Sequence, residues 1–270
     1  MIRHSLIAIL GVAGIAAAPV VTAPLAAAPF DAVIASSARS DANKARDASR
    51  HPAQTLTYFG IKPTMTVVEI SPAAGWYTEI LAPFLNDKGQ YIGAASNPAA
   101  SEAAAAGVKK FKDKLAANPA MNKAKVTAFG KGSYDLAPAG SADAVLTFRN
   151  VHNWHMAGFD AEAFKAFYTA LKPGGVLGIE EHRLPENKAD ALMKTSGYMK
   201  TSYVRQLAEA AGFKYVGSSE VNANPRDTKD YPKGVWTLPP NFAEKDVDKA
   251  KYAAIGESDR MTLKFVKPAK

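Results

Sequence analysis

The chain has 270 residues, 47% of them apolar, with 33 Lys and Arg against 25 Asp and Glu and no cysteine. Zero cysteine excludes a disulfide framework, a thiolate zinc site, an iron–sulfur cluster, a cysteine nucleophile and a lipid-modified lipoprotein terminus. The averages join two unlike parts: residues 1 to 30 hold one formal charge, Arg3, and 21 apolar residues, whereas the rest carries +7 in an ordinary globular composition long enough to bury a core without staples.

Arg3 and His4 precede an uncharged run from Ser5 to Phe30 whose apolar part (Leu6, Ile7, Ile9, Leu10, Val12) gives way to Ala and Pro. This pattern predicts a secretory signal peptide over residues 1–28 and export to the periplasm. An uncleaved anchor is the alternative, but Pro19, Pro24 and Pro29 interrupt a helix that would need about 20 residues to span a bilayer. Small-residue sites at Ala16–Ala18 and Ala26–Ala28 leave the cut open. Membrane contact is expected only through this leader. Residues 29–50, small and charged, are expected to form a flexible lead-in.

From there strands and helices alternate. The spacing predicts a helix over Ala53–Phe59, a strand over Thr66–Ile70, a helix over Trp76–Leu85, a strand over Gln90–Ala95 and an alanine-rich helix over Ala99–Leu115. Strands follow at Lys125–Phe129 and Ala142–Phe148. A helix over Ala161–Leu171 ends at the stop and turn signal Lys172-Pro173-Gly174-Gly175, before a strand at Val176–Glu180. Ser202–Ala211 reads as a helix, Phe213–Ser219 and Arg260–Val266 as the sixth and seventh strands. The alternation implies one α/β domain over 51–270, doubly wound around a mostly parallel sheet with helices on both faces. Between the last two strands, residues 222–258 are Pro-rich with no helical pattern until Asp246–Ala254, which marks a lid-like insertion. The lysines between Lys109 and Lys131 lack interleaved aromatics and read as a solvated helix face, so no nucleic-acid partner is expected.

Val67-Val68-Glu69-Ile70-Ser71-Pro72-Ala73-Ala74-Gly75-Trp76-Tyr77-Thr78 is a strand ending in an acid, a turn of small residues, then a helix. Open α/β sheets bind ligands beyond such strand ends. Taken with Arg149-Asn150-Val151-His152-Asn153-Trp154 after the fourth strand and Leu171-Lys172-Pro173-Gly174-Gly175 before the fifth, the chain resembles the class I S-adenosylmethionine-dependent methyltransferases over residues 50–270. It is similar in particular to exported bacterial predicted methyltransferases, on the stretches Pro72–Glu79, Asn224–Asp230 and Trp236–Pro240. The resemblance implies strand order 3-2-1-4-5-7-6 with the seventh strand antiparallel, S-adenosylmethionine as cofactor and a small-molecule acceptor. It further implies that Glu69, Gly75 and Trp76 flank the cofactor's methionine end, with Asn150 beside them. Ser71 and Ala73 stand where the family's first two glycines do. Ser96 or Asn97 stands in place of the acid that accepts the ribose hydroxyls, and the adenine position falls near Gly132-Ser133.

Arg149, Asn150, His152, Asn153, Trp154 and His155 follow the fourth strand, and Glu180, Glu181, His182 and Arg183 end the fifth, so three of the five histidines belong to one crevice. His152 or His182 could act as a general base near neutral pH, with Glu181 orienting it or holding a cationic substrate. Hydrogen bonding to loop backbone is the structural alternative. A metal site from His152, His155, His182 and a glutamate is chemically reasonable but matches no established spacing. Three functions stay open: methyl transfer; a binding protein of the cell envelope that has kept the fold and lost the donor, as export away from the cytoplasmic supply of S-adenosylmethionine would allow; or a metal-dependent enzyme using the His152, His155 and His182 crevice.

Overall fold

The computed structural model describes residues 29–269, so the expected leader at 1–28 lies outside the described residues. Helices α1 (Asp31–Ala35), α2 (Asp41–Lys44), α3 (Asp47–Arg50) and α4 (Pro52–Phe59) lead into β1 (Thr66–Ile70), α5 (Thr78–Leu85), β2 (Gln90–Ser96), α6 (Glu102–Ala116), β3 (Lys125–Phe129) and β4 (Ala142–Phe148). Then come α7 (Val151–Ala157), α8 (Asp160–Ala170), β5 (Leu171–Leu184), β6 (Met199–Lys200), α9 (Thr201–Ala210), β7 (Lys214–Ser219), α10 (Lys249–Ile255) and β8 (Arg260–Val266). Strands run in the order β3-β2-β1-β4-β5-β8-β7, with two-residue β6 pairing beside β5. β1 to β5 are mutually parallel along that path, and β8 is antiparallel to both β5 and β7. This is the predicted seven-strand order, with Lys214–Ser219 and Arg260–Val266 as the sixth and seventh strands.

Alternation along the strands splits the core between two faces. Val68 and Ile70 of β1 and Val145 of β4 pack with Trp154, Phe164, Phe167 and Val204. Val67 and, from β4, Leu146 and Phe148 pack on the opposite face with Leu56, Phe59, Ile80 and Phe111. β1 and β4 are buried almost throughout, which is why they read as apolar β-branched runs. Among the described residues no helix is long and apolar enough to cross a membrane.

Three expectations change. Residues 29–50 are not a loose lead-in. Phe30 is fully buried with its ring 4.3 Å from that of Phe84, the Ser40 side chain caps α2, and Arg39 forms a two-bond ion pair with Asp47. One side of this segment thus joins the core, and paired charges satisfy the rest. Second, β5 runs through the Lys172–Gly175 signal instead of starting after it. A register shift between Ala142 and Ala144 and a left-handed Gly174 absorb the turn, while Gly174 N–H and Gly175 C=O stay paired with Lys267. Third, the polar segment after β4 is helical: Asn150 opens α7, and the left-handed Gly158 ends it.

Candidate active site

The ends of β1, β2, β4 and β5 open on one side of the sheet onto two adjoining cavities. The first, about 320 Å³, is walled by the turn after β1, by Phe148, Arg149 and His152 after β4, by His182 of β5, by Arg46 and Arg50, and by Trp236, Pro239, Pro240, Glu257 and Ser258. The second, about 420 Å³, lies between Ala95 and Ser96 of β2, Ala104, Val108 and Phe111 of α6, and Trp154 of α7. Ser71, Ala73, Asn150 and Asn153 line both. A long ligand could therefore lie across the β1 turn with one end in each cavity.

That turn keeps a glycine-type backbone without glycine at two positions. Ser71 and Ala73 have φ of 51°, and Gly75 has φ 79°. The left-handed region costs a non-glycine residue about 1–2 kcal/mol, so neighbouring contacts must hold it. Ser71 N–H donates to Ala94 O at 2.9 Å, Gly75 N–H to Pro72 O at 2.8 Å, and Lys114 Nζ binds Ala74 O at 2.7 Å and Glu79 at 2.7 Å. A Cβ on Gly75 would meet Thr78 at 3.2 Å, so its tightness is toward α5; Gly75 lines neither cavity.

Glu69 lies on the α5 side of β1. Its Oε2 accepts from Tyr91 OH at 2.7 Å and Thr78 Oγ1 at 2.9 Å. Burial pushes its carboxyl up to about 7, against the opposing pull of those two hydrogen bonds and of Arg149 and Lys114. Trp76 spends its indole N–H on Asn43 O at 3.0 Å and offers its ring face to the guanidinium of Arg50, 4.7 Å away. Asn150 Nδ2 ties the ends of β1 and β4 together through Ile70 O and Phe148 O, both at 3.2 Å. Ser96 lines the second cavity, whereas Asn97 is committed to capping the next turn through Ala99 N. Gly132 and Ser133 line neither cavity, and Ser133 pairs with Gly130 in a tight bridge.

Glu180 and Glu181 are adjacent on β5 and so point to opposite faces. Glu181 is fully buried and accepts from the N–H groups of Val151, His152 and His182 and from His152 Nδ1 at 2.9 Å. It orients His152 and has no capacity left for a cationic substrate. With Nδ1 held by the carboxylate, His152 directs Nε2 away from Glu181, and its ring lines the first cavity. His182 lines the same cavity with Nδ1 2.6 Å from Ser258 Oγ, and burial, then His152 and three arginines, holds its imidazole well below the ordinary range. His182 is therefore neutral, and His152 is the better placed base. His155 turns away to Asp160, 2.8 Å distant, and packs on Tyr203.

The metal reading fares poorly on the chemistry of its donors. His152, Glu181 and His182 bring ligand atoms within 4.8 Å of one another, but Glu181 is consumed by four hydrogen bonds and His155 does not join. Two imidazole nitrogens beside several guanidinium groups make a weak host for a dication.

On the other face, Glu180 accepts from Arg149 at 2.6 Å, Arg260 at 2.9 Å and Tyr77 OH at 3.1 Å, and those arginines pull its carboxyl down to about 2 against the opposing effect of burial. Arg46, Arg50 and Arg260 converge on Glu257. Sequence reasoning assigned no role to Arg46, Glu257 or Arg260. The available signal was the run Glu257-Ser258-Asp259-Arg260, which places charges at the foot of an otherwise apolar strand.

No protein-family model matches the chain, and no curated protein matches its sequence. Solved structures do share its fold. A SAM-dependent methyltransferase from Aquifex aeolicus superposes with a TM-score of 0.55 at 16% identity, over 83% of this chain and 93% of that one. The [4+2]-cyclase SpnF gives 0.58 at 16%, over 83% and 82%. An arsenic(III) S-adenosylmethionine methyltransferase from Chlamydomonas reinhardtii gives 0.50 at 12%, over 77% and 64%. At these identities the likeness is one of fold, and a cyclase among the neighbours shows that the fold serves more than one chemistry. The chain therefore has the Rossmann-like, sheet-centred fold of the S-adenosylmethionine-dependent methyltransferases.

Proposed function

We propose that the protein is an exported S-adenosylmethionine-dependent methyltransferase acting on a small acceptor. The observation that carries this reading is the left-handed turn Ser71–Gly75, which joins two cavities directly above buried Glu69. The residues fit the cofactor. The wall of the second cavity formed by Ala95, Val108 and Phe111 suits an adenine ring, and Ser96 stands at the end of β2 to hydrogen-bond the ribose. Glu69, Trp76 and Asn150 line the first cavity at the methionine end. Bound there, S-adenosylmethionine supplies an electrophilic methyl group to the acceptor. The protein's part is positioning, exclusion of water beneath Trp236 and Pro239, and acceptance of the acceptor's proton at His152 Nε2 with Glu181 stabilising the charged ring.

A second reading, in which the cleft binds another ligand and the donor is lost, is favoured by the Ala73 side chain at a glycine position and by the neutral residue at the end of β2. Calorimetry on the purified chain with S-adenosylmethionine and S-adenosylhomocysteine separates the two. Saturable heat with both supports methyl transfer, and its absence with both removes that reading. Export rests on the composition of residues 1–28. The mass of the protein recovered from periplasmic extracts should be that of the chain cut after Ala18 or Ala28, and recovery of the intact chain in the cytoplasm would overturn it.

A further inference from the structure

The first cavity has an excess of positive charge that orienting a histidine base does not need. Arg46, Arg50 and Arg149 line it, and Arg260 lies directly behind. The carboxylates that pair with these four guanidinium groups are two, Glu180 and Glu257. Arg50 is 4% exposed, and among the described residues it donates only through Nε, to Glu257 Oε2 at 3.1 Å. Its guanidinium is held over Trp76, so the fork is fixed before any ligand arrives. Arg46 Nη2 is buried without a hydrogen-bond partner. Buried donors of that kind are costly unless an acceptor reaches them.

A carboxylate entering the cavity satisfies these donors, and charge-assisted bonds from preset guanidinium groups are the strong ones. We propose that the acceptor is a small carboxylate-bearing molecule, its carboxylate held by Arg46, Arg50 and Arg149, and its nucleophilic oxygen or nitrogen facing His152. This rests on the methyltransferase reading for the reaction but not for the anion site. In the reaction the acceptor's lone pair forms the new bond to the methyl carbon, and the sulfur–methyl bond breaks with its electrons left on sulfur. The acceptor's proton passes to His152.

The same guanidinium groups could instead serve the carboxylate of the donor, and the test separates the two. Benzoate and its neutral isostere benzamide are titrated into the full chain by calorimetry, with and without saturating S-adenosylhomocysteine. The expected result is benzoate bound at least about tenfold more tightly than benzamide, with S-adenosylhomocysteine present, and weakened about tenfold in Arg46→Gln and in Arg149→Gln. Circular dichroism confirms that each variant is folded; Arg46, the more exposed of the two, is the safeguard if the Arg149 variant is not. Equal binding of benzoate and benzamide overturns the proposal. So does displacement of benzoate by S-adenosylhomocysteine but not by 5′-methylthioadenosine, which lacks the carboxylate, because the cluster then belongs to the donor. Arginine-dependent benzoate binding in a protein that ignores S-adenosylhomocysteine keeps the anion site and removes the methyltransferase reading instead.

Discussion

His152 Nδ1 and Glu181 Oε1 are 2.9 Å apart, and the same carboxylate accepts three backbone N–H groups from α7 and β5. Four donors converge on a group that can only accept, which fixes the imidazole proton at Nδ1 and couples the base to the start of α7. Glu181→Gln keeps the shape but turns an amide NH2 toward N–H donors. Its expected cost is about 2–3 kcal/mol, because a buried donor is left facing donors. His152→Asn leaves the backbone bonds in place and should cost about 1 kcal/mol. Thermal denaturation followed by circular dichroism ranks the two. If the Gln variant melts with wild type, the carboxylate is not the organising group.

Glu69 titrates near 7 because burial outweighs its two hydroxyl partners and neighbouring cations. A carboxyl raised from 4.5 favours the folded state at low pH, and that contribution is lost as pH rises through about 7. A cationic donor binds best beside the ionised form, so binding below this range must expel a proton. Affinity for S-adenosylmethionine should therefore fall about tenfold from pH 8 to pH 6. Glu69→Gln should flatten the dependence. Calorimetry in buffers of different ionisation enthalpy counts the proton, and zero release at pH 6 would be incompatible with Glu69 facing the donor's charge.

The sheet was legible because its strands state their burial. Thr66–Ile70, Lys125–Phe129, Ala142–Phe148 and Arg260–Val266 have the ends that their β-branched and alternating runs imply. The segment before α4 was not legible. Four-residue helices have no period to detect, and what orders them is Phe30 against Phe84 and Arg39 against Asp47, contacts that exist only after folding. The convergence of Arg46 and Arg50 on Glu257 was hidden for the same reason. Arg46 and Arg50 lie about 200 residues from Glu257 in sequence, and only the sheet order brings β8 beside β5 and sets both under the N-terminal segment. His152 and His182 could be grouped from the sequence because strands four and five are neighbours in the implied order. That one imidazole is held by Glu181 and the other by Ser258 depends on which face each residue occupies.

Ser71 and Ala73 hold left-handed backbone with a side chain attached. Glycine at either position removes about 1–2 kcal/mol of strain and adds up to about 1 kcal/mol of unfolded-chain entropy, so a net gain of about 0.5 kcal/mol is expected for each. Ala73→Gly also removes a methyl from the rim shared by both cavities. Its melting temperature should rise slightly, and its affinity for S-adenosylhomocysteine should hold or increase. A drop in both would mean that the Ala73 methyl is a packing contact and that the turn is shaped for a different ligand.

Arg260 is 1% exposed and divides its guanidinium between Glu180, Glu257 and the carbonyl of Ser49. It thereby joins β8 to β5 and to the N-terminal segment. Glu180, lowered from 4.5 to about 2, contributes stability that is present above its ordinary range and is lost as pH falls through about 2. Arg260→Met deletes one of the two guanidinium groups bonded to Glu180 and leaves it with Arg149 and the neutral Tyr77 hydroxyl. Breaking a buried pair from one side costs about 3–5 kcal/mol, and the carboxyl must rise toward its ordinary value. The variant should unfold at lower urea at neutral pH, and its acid unfolding should begin at higher pH than in wild type. Adding Glu180→Gln should abolish the difference in acid response, since the carboxyl whose titration produces it is then gone. An acid transition unchanged by Arg260→Met would assign the depression of Glu180 to Arg149, and the variant should then lose stability equally at every pH.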